Sequence, residues 1–328
     1  MQATYTDSSR KTDYMLSRIA DSLFWMNRYM ERSDCQLRVI RTNYILSFDT
    51  GYNESFSWKD VITLFSHTVE DTPVPDGEHI HESLAFLLTD PGNLNSVKVL
   101  ISKARENARG VQDNITKEVW EQVNQLYHIV NEPGLDQKIL GKTGSLDVID
   151  SLDQNSVLYY GITDITMPRG LGWNFMNLGK FIERCLLTID TTFAHFRRID
   201  AQNNAAQDIL YWRNLLLSLS GYELYLKSNT RAQHNVKVME QIIFNPDFPR
   251  SIVYSLTRIR TYLKEVMEDT KMDGSSDLQK SFGRILSKVE FADMNMIQEA
   301  GLPQFLFNLR KEIVDFSNKL TRIYFSYA

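Results

Sequence analysis

At two places in the chain a glutamate is directly followed by an arginine, Glu31-Arg32 and Glu183-Arg184. At helical spacing Glu183 is bordered mostly by apolar side chains, and a carboxylate in such surroundings must find a partner or take up a proton. A carboxyl group with a shifted pKa can act as a general acid or base. Arginine can hold a carboxylate with two parallel hydrogen bonds. The two motifs therefore predict a polar centre, which is either a functional site or a structural ion-pair network.

A further group of polar residues lies between Ala104 and Asp113, interleaved with alanines that would let another helix approach closely. Arg105 and Arg109 lie one helical turn apart, and we expect them to be the partners of the glutamates. One interpretation is a pocket at the bundle centre that binds an anionic or peptide-like ligand. The other is a buried network that fixes the register of the helices. The candidate residues for the pocket or network are Arg28, Glu31, Arg32, Arg105, Glu106, Asn107, Arg109, Asp113, Glu183 and Arg184.

Two more familiar kinds of site are not predicted. The run Gly141-Lys142-Thr143 resembles the end of a phosphate-binding loop, but the preceding Gly134 is too far upstream and no strand leads into it. Glu78 and His81 form one Glu-x-x-His motif, which is half of what a helical di-iron site needs, and no second copy occurs. We therefore expect no bound metal and no cofactor.

Helical periodicity dominates the segments that must position these groups. Residues 19–44 place apolar side chains at alternating steps of four and three, which predicts a helix of roughly eight turns. Ser96 and Thr116 are placed to cap helices that end near Asp113 and Val130. Gly and Pro make up only about 7% of the chain, against roughly 12% in average proteins. Further helices are expected at about 53–76, 78–88, 170–200, 205–228, 231–244, 250–270, 276–290 and 301–326.

An internal repeat relates the two halves of the chain. Residues 24–32, FWMNRYMER, align with residues 176–184, MNLGKFIER, and most positions agree in type. Chance similarity between two amphipathic helices is the alternative to a duplication. The predicted fold class is all-α, with two related helical bundles packed together and no significant sheet. The expected division is a disordered tail at 1–13, a first bundle at 14–134, a crossing segment poor in helix formers at 135–168, and a second bundle at 169–328.

The composition argues against several classes of function. The 36 basic and 41 acidic residues give a formal net charge of −5, which offers no basic surface for nucleic acid. No window approaches the roughly 18 consecutive apolar residues of a transmembrane helix, and residues 1–13 lack the apolar core of a secretory signal. The only two cysteines, Cys35 and Cys185, predict neither a disulfide scaffold nor a zinc module. We expect a cytoplasmic protein without a membrane partner.

Four stretches of the chain resemble the bacterial alpha-E family, helical proteins named for a Glu-Arg motif. They are LSRIADSLFWMNRYMER at 16–32, DPGNLNS with ARENAR at 90–109, GITDITM through the second Glu-Arg at 161–184, and NPDFPRS at 245–251. They run in order across the chain, from about 14 to 320. Three departures accompany them: Asn27 stands where glycine is usual, Cys185 and Leu186 replace small and acidic residues, and 225–230 is less basic than its counterpart.

The resemblance implies partners more than a reaction. Proteins of this family are typically encoded beside, or fused to, a circularly permuted ATP-grasp ligase and a transglutaminase-like cysteine peptidase. We therefore expect a non-catalytic helical subunit or substrate-recognition module that serves an ATP-grasp peptide or amide ligase. The alternative is an enzyme acting on a peptide or amino-acid substrate, with Glu31 or Glu183 as acid or base and Arg105 and Arg109 holding a carboxylate. A helical scaffold without a ligand site is the third hypothesis.

Overall fold

The computed structural model describes residues 8–49, 56–141, 144–199, 209–228, 234–270 and 272–325. Within these ranges the backbone forms fifteen α-helices and one short 3₁₀ helix, Gln112–Asn114. An isolated bridge between Thr68 and Asn93 is the only β-type pairing that the described ranges contain. Helices account for 79% of the structure, which confirms the predicted all-α fold.

The helices follow one another with short connections. In the first half they are α1 (Ser8–Leu46), α2 (Trp58–Phe65), α3 (Ile80–Leu88), α4 (Val97–Gly110), α5 (Lys117–Val130), α6 (Leu135–Leu140) and α7 (Ser145–Thr166). In the second half they are α8 (Leu171–Ile199), α9 (Ile209–Ser218), α10 (Tyr222–Ser228), α11 (His234–Phe244), α12 (Ile252–Thr270), α13 (Ser275–Glu290), α14 (Met294–Ala300) and α15 (Leu302–Tyr324).

The long helix α1 has 39 residues and packs against α8, α4 and α7. The apolar side chains that predicted it, among them Leu23, Met30 and Ile40, are fully buried. Burial against several helices explains why this helix carries apolar residues outside a single stripe. The predicted tail at 1–13 is wrong at its end, because α1 begins at Ser8; residues 1–7 lie outside the described ranges.

Polar residues at the predicted helix starts do cap their helices. The Ser96 hydroxyl accepts a hydrogen bond from the Val99 N–H, and Thr116 does the same for Val119 at the start of α5. These bonds satisfy backbone donors that have no partner inside the helix. Other boundaries differ from expectation. The helix expected at 53–76 is confined to α2, the helix expected at 205–228 is divided into α9 and α10, and α14 was not predicted.

Buried apolar side chains form two clusters. One is built mainly from α1 to α7 but includes Met176 and Leu187 of α8, and the other is built mainly from α8 to α15 but includes Ala20 and Phe24 of α1. The segment predicted to be poor in helix, 135–168, instead contains α6 and α7. Because α7 packs against α5 and α1, this segment contributes to the first cluster. The division at 134 and 169 stays a prediction.

Candidate functional site

The two Glu-Arg motifs meet where α1 packs against α8. A Cβ atom placed on Gly179 would lie 2.3 Å from the backbone oxygen of Phe24, so only glycine allows the two helices to approach this closely. One turn further along each helix, Glu31-Arg32 and Glu183-Arg184 face each other. We call this group of four residues with its direct ion-pair partners the Glu-Arg crossing.

Glu183 is held by two arginines of α1. Arg28 reaches its Oε2 atom from Nε and Nη2, each at 2.7 Å, and Arg32 Nε lies 2.6 Å from Oε1. The arginines have further acceptors, since Arg28 donates to the Ser317 hydroxyl of α15 at 3.2 Å and Arg32 to the Asn95 side-chain oxygen at 3.0 Å. Glu183 thus connects α1, α8 and α15 through a fully paired carboxylate.

Glu31 is held from the opposite motif. Arg184 donates from Nε to Oε1 at 2.7 Å and from Nη2 to Oε2 at 2.9 Å, the two-pronged geometry that gives the strongest arginine–carboxylate pairs. The Tyr160 hydroxyl of α7 donates to Oε2 at 2.8 Å, and Arg250 Nη1 lies 3.4 Å from Oε1. None of the Glu31 surface is exposed.

The pairing is reciprocal. Glu31 of the first motif binds Arg184 of the second, and Glu183 of the second binds Arg32 of the first. Each motif therefore supplies the acid to one pair and the base to the other, as two helices do when they meet around an approximate two-fold axis. The adjacent positions differ: Arg28 binds Glu183, but its counterpart in the repeat, Lys180, lies within ion-pair distance of no carboxylate in the described ranges.

A third buried carboxylate extends the crossing. Asp34 pairs with Arg38 one turn along α1 and with Arg250 Nη2 at 3.2 Å. Arg38 also donates from Nε to the backbone oxygen of Ser218 at 3.2 Å. Arg250 therefore bridges Glu31 and Asp34 from the loop that precedes α12.

The electrostatics keep these acids ionised. Burial opposes the charged form of Glu31, but Arg184 with its hydrogen bonds, Arg250 and Lys180 outweigh burial and lower its pKa. At Glu183 burial is likewise outweighed, by Arg32 and Arg28. Both carboxylates are thus unprotonated and fully engaged near neutral pH. In this arrangement neither can exchange a proton with a substrate.

Burial, together with the nearby Glu31 and Asp34 charges, raises the pKa of Tyr160 well above its usual value. Its hydroxyl therefore keeps its proton and remains a donor to Glu31.

Half of the predicted site residues lie outside the crossing, namely Arg105, Glu106, Asn107, Arg109 and Asp113. Arg105 donates from Nε to the Asn124 side-chain oxygen at 2.7 Å, and Asn107 donates to a backbone carbonyl within its own helix. The side chains of Glu106 and Arg109 are 62% and 65% exposed, and Asp113 is also exposed. The expectation that Arg105 and Arg109 pair with the buried glutamates is wrong, because α1 and α8 bring their own arginines.

Sequence reasoning also missed residues that complete the crossing. Tyr160, Asp34 and Arg250 were not among the candidates. Arg250 had a signal, since it lies in the NPDFPRS stretch that resembles the family, and Lys180 could have been found as the repeat counterpart of Arg28. No pattern in the sequence pointed to Tyr160, because its contact with Glu31 depends on how α7 packs.

Two clefts border the crossing. The first, which we call the Lys180 cleft, has a volume of about 600 Å³ and lies between α7, α8 and α12; Tyr160 and Lys180 contribute to its wall. The second has a volume of about 720 Å³ and lies between α2, α8 and α15. Phe193 and Phe307 line the second cleft together with the ion pair of Asp190 and Arg310, 2.5 Å apart. Rings and cations in the first cleft suit an anionic ligand, whereas the second is mainly apolar.

Residues once considered for metal or thiol chemistry are placed apart. Within the described ranges no three His, Cys, Asp or Glu side chains come together as a metal site, and Glu78 is exposed while His81 lies near the Ile139 carbonyl oxygen. Cys35 and Cys185 are buried, and burial raises the pKa of Cys35 to about 11 and raises that of Cys185 as well. Over the same ranges, no helix combines the length and apolarity that crossing a bilayer requires.

Comparisons with known proteins agree with the reciprocal Glu-Arg geometry. Uncharacterised proteins of Mycobacterium bovis and Mycobacterium tuberculosis are 22% identical to this chain over 330 residues. The match covers 93% of this chain and 36% of each mycobacterial protein, so the chain spans well under half of their length. No solved structure gives a significant match. The alpha-E family model, described as a predicted alpha-helical domain with a conserved ER motif, matches residues 15–325. The chain therefore belongs to the alpha-E family.

Proposed function

We propose that this alpha-E chain is a non-catalytic helical subunit or substrate-recognition module that works in the cytoplasm with an ATP-grasp peptide or amide ligase. Its setting is the modification of peptides, with a transglutaminase-like peptidase as a second partner. The observation that carries the non-catalytic part is the sealing of Glu31 and Glu183 between helices. These were the acids best placed by sequence to do chemistry.

The contacts of the two glutamates argue for a structural role. A general acid or base must come within hydrogen-bond reach of the group that it protonates or deprotonates. Glu31 is 0% and Glu183 2% exposed, and their oxygens already accept from arginines at 2.6–2.9 Å. A substrate could reach them only if α1 and α8 separated. The enzyme hypothesis built on these acids is weakened accordingly.

The carboxylate-binding part of that hypothesis is weakened too. Arg105 and Arg109 lie on α4, away from Glu31 and Glu183, and Arg109 is largely exposed. They therefore cannot hold a substrate next to either acid. The scaffold hypothesis, without any ligand, is less favoured because the Lys180 cleft offers unpaired positive charge beside aromatic rings.

The partner is proposed from the family. Proteins that resemble this chain are typically encoded beside or fused to an ATP-grasp ligase. A match confined to 36% of the mycobacterial relatives is also what a module joined to other segments would give.

Co-purification tests the proposal. The chain is expressed together with a circularly permuted ATP-grasp protein from the same organism and analysed by gel filtration, and ATP consumption is measured with and without the chain. We expect a stable complex and a ligase that works poorly alone. A ligase that is fully active alone and forms no complex would contradict the subunit role, and substrate turnover by the chain alone would contradict the non-catalytic role.

A further inference from the structure

The Lys180 cleft combines positive charge with flat aromatic surfaces. Its walls come from α7, α8 and α12, and its volume of about 600 Å³ is in the range of small-ligand sites, roughly 300–1,000 Å³. Five aromatic side chains line it: Tyr160, Trp173, Phe181, Tyr254 and Tyr262. Aromatic faces exposed in a concave site can stack on flat groups of a ligand and attract its cations or amides.

Two cations of the cleft lack an acidic partner. Lys180 is half-buried, with Nζ 4.2 Å from the centre of the Tyr160 ring, and Arg258 at the rim makes its hydrogen bonds to the Tyr254 hydroxyl at 3.1 and 3.2 Å. Neither has a carboxylate within 4.0 Å among the described residues. Arg169, the third cation of the cleft, differs because it pairs with Asp164 at 2.9 Å.

An unpaired cation next to buried surface is unfavourable unless something neutralises it. The surroundings of Lys180 explain why the protein itself does not. Glu31 is already taken by Arg184, and Asp34 by Arg38 and Arg250. The charge on Lys180 is therefore available to a ligand that enters from the cleft.

We propose that the Lys180 cleft binds a peptide through a carboxylate, which pairs with Lys180 and Arg258 while an adjoining flat side chain stacks on the aromatic wall. The cleft holds cations for one end of such a ligand and rings for the other. The inference deepens the recognition role proposed above. It is tested without the ligase, so that each proposal can fail independently.

Binding of a small peptide to the whole chain provides the test. The probes are N-acetyl-Ala-Ala-Phe with a free carboxylate, the same peptide with a carboxamide end, and phenyl phosphate, each titrated by calorimetry into the wild-type chain. We expect the free acid to bind at least about tenfold more tightly than the amide. Equal binding of acid and amide, tighter binding of phenyl phosphate, or no binding of the acid at millimolar concentration would each overturn the proposal.

Variants identify the site. Lys180→Met and Arg258→Gln should each weaken binding of the free acid at least about tenfold. The matched controls are Lys264→Met and Arg260→Gln on α12, whose cations are exposed and pair with Glu268 and Glu290. The controls should bind like the wild type. Loss of binding in the controls, or none in the Lys180 variant, would show that the peptide binds elsewhere.

The pH dependence supplies a second readout. Burial, and then Arg184 and Arg250, lower the pKa of Lys180 to about 8 against the opposing effects of Glu31 and Asp34. Tyr160, which also faces Lys180, stays neutral because its pKa is raised. Binding of the free acid should therefore weaken as the pH rises above about 8 in the wild type and change less in Lys180→Met. An identical pH profile in both would contradict the assignment of Lys180.

Discussion

Replacing Glu31 with glutamine keeps the shape of the side chain and removes its charge. The substitution leaves Arg184 without its carboxylate and leaves Arg250 with Asp34 alone. Breaking a buried ion pair by removing one partner costs about 3–5 kcal/mol, because the remaining charge is buried and unpaired. This is a large part of the roughly 5–15 kcal/mol that stabilises a typical folded protein.

Glu183→Gln should cost less than Glu31→Gln. Glu183 faces two arginines, and both have further acceptors in Ser317 and Asn95, whereas Glu31 balances Arg184 and Arg250 and also lies near Lys180. Both losses should exceed that of Glu121→Gln, whose side chain is 60% exposed and pairs with Lys117 at 3.4 Å. An exposed pair of this kind contributes less than about 1 kcal/mol.

The assay is urea unfolding followed by far-ultraviolet circular dichroism, with the free energy of unfolding compared among the three variants and the wild type. A Glu31→Gln variant that is destabilised no more than Glu121→Gln would refute the view that the Glu-Arg crossing is a structural network. A large loss of ligand binding without loss of stability would point instead to a site.

Three further outcomes follow from the same geometry. Since the pKa of Glu31 is lowered, its contribution is present above its ordinary pKa and lost as pH falls through the lower folded value; the stability difference between wild type and Glu31→Gln should stay constant at neutral pH and narrow below about pH 4.5, as measured by unfolding across pH. Gly179→Ala should destabilise by about 1–3 kcal/mol through overpacking, whereas Gly283→Ala on α13, where a Cβ meets nothing within 4 Å, should be neutral or stabilising by up to about 1 kcal/mol in the same unfolding assay. Cys35 and Cys185 should not react with a colorimetric disulfide reagent in the folded chain and should both react in urea, because burial raises the pKa of each thiol; rapid reaction of a folded thiol would contradict their burial.

Much of the fold was predictable because it depends on local pattern. The apolar steps along α1 and the caps Ser96 and Thr116 gave α1, α4 and α5 with nearly correct bounds. The segment 135–168 was harder, because α7 has Gly, Ser, Asp and Thr among its helix formers and owes its helix to packing against α5 and α1. Tertiary packing overrides weak local propensity in such a helix.

The candidate site was predictable in its members but not in its pairing. The repeat identified Glu31, Arg32, Glu183 and Arg184, and polar residues beside alanines suggested α4 as their partner. The close approach of α1 and α8 at Gly179 decides otherwise, and a glycine in a helix does not reveal from sequence which backbone it contacts. Arg250 and Tyr160 join from distant segments, so their roles depend on a three-dimensional arrangement that no spacing rule contains.

The reciprocal pairing of the two motifs is the central claim, and a double-mutant cycle between Glu31 and Arg184 tests it most directly. The free energies of unfolding are measured for Glu31→Gln, Arg184→Met and the double variant, with Glu31 and Arg260 as the control cycle. We expect an interaction energy of at least about 1 kcal/mol for Glu31 with Arg184, within the roughly 0.5–3 kcal/mol found for residues of one network, and additivity within about 0.5 kcal/mol for the control. Additive losses at Glu31 and Arg184 would contradict the account.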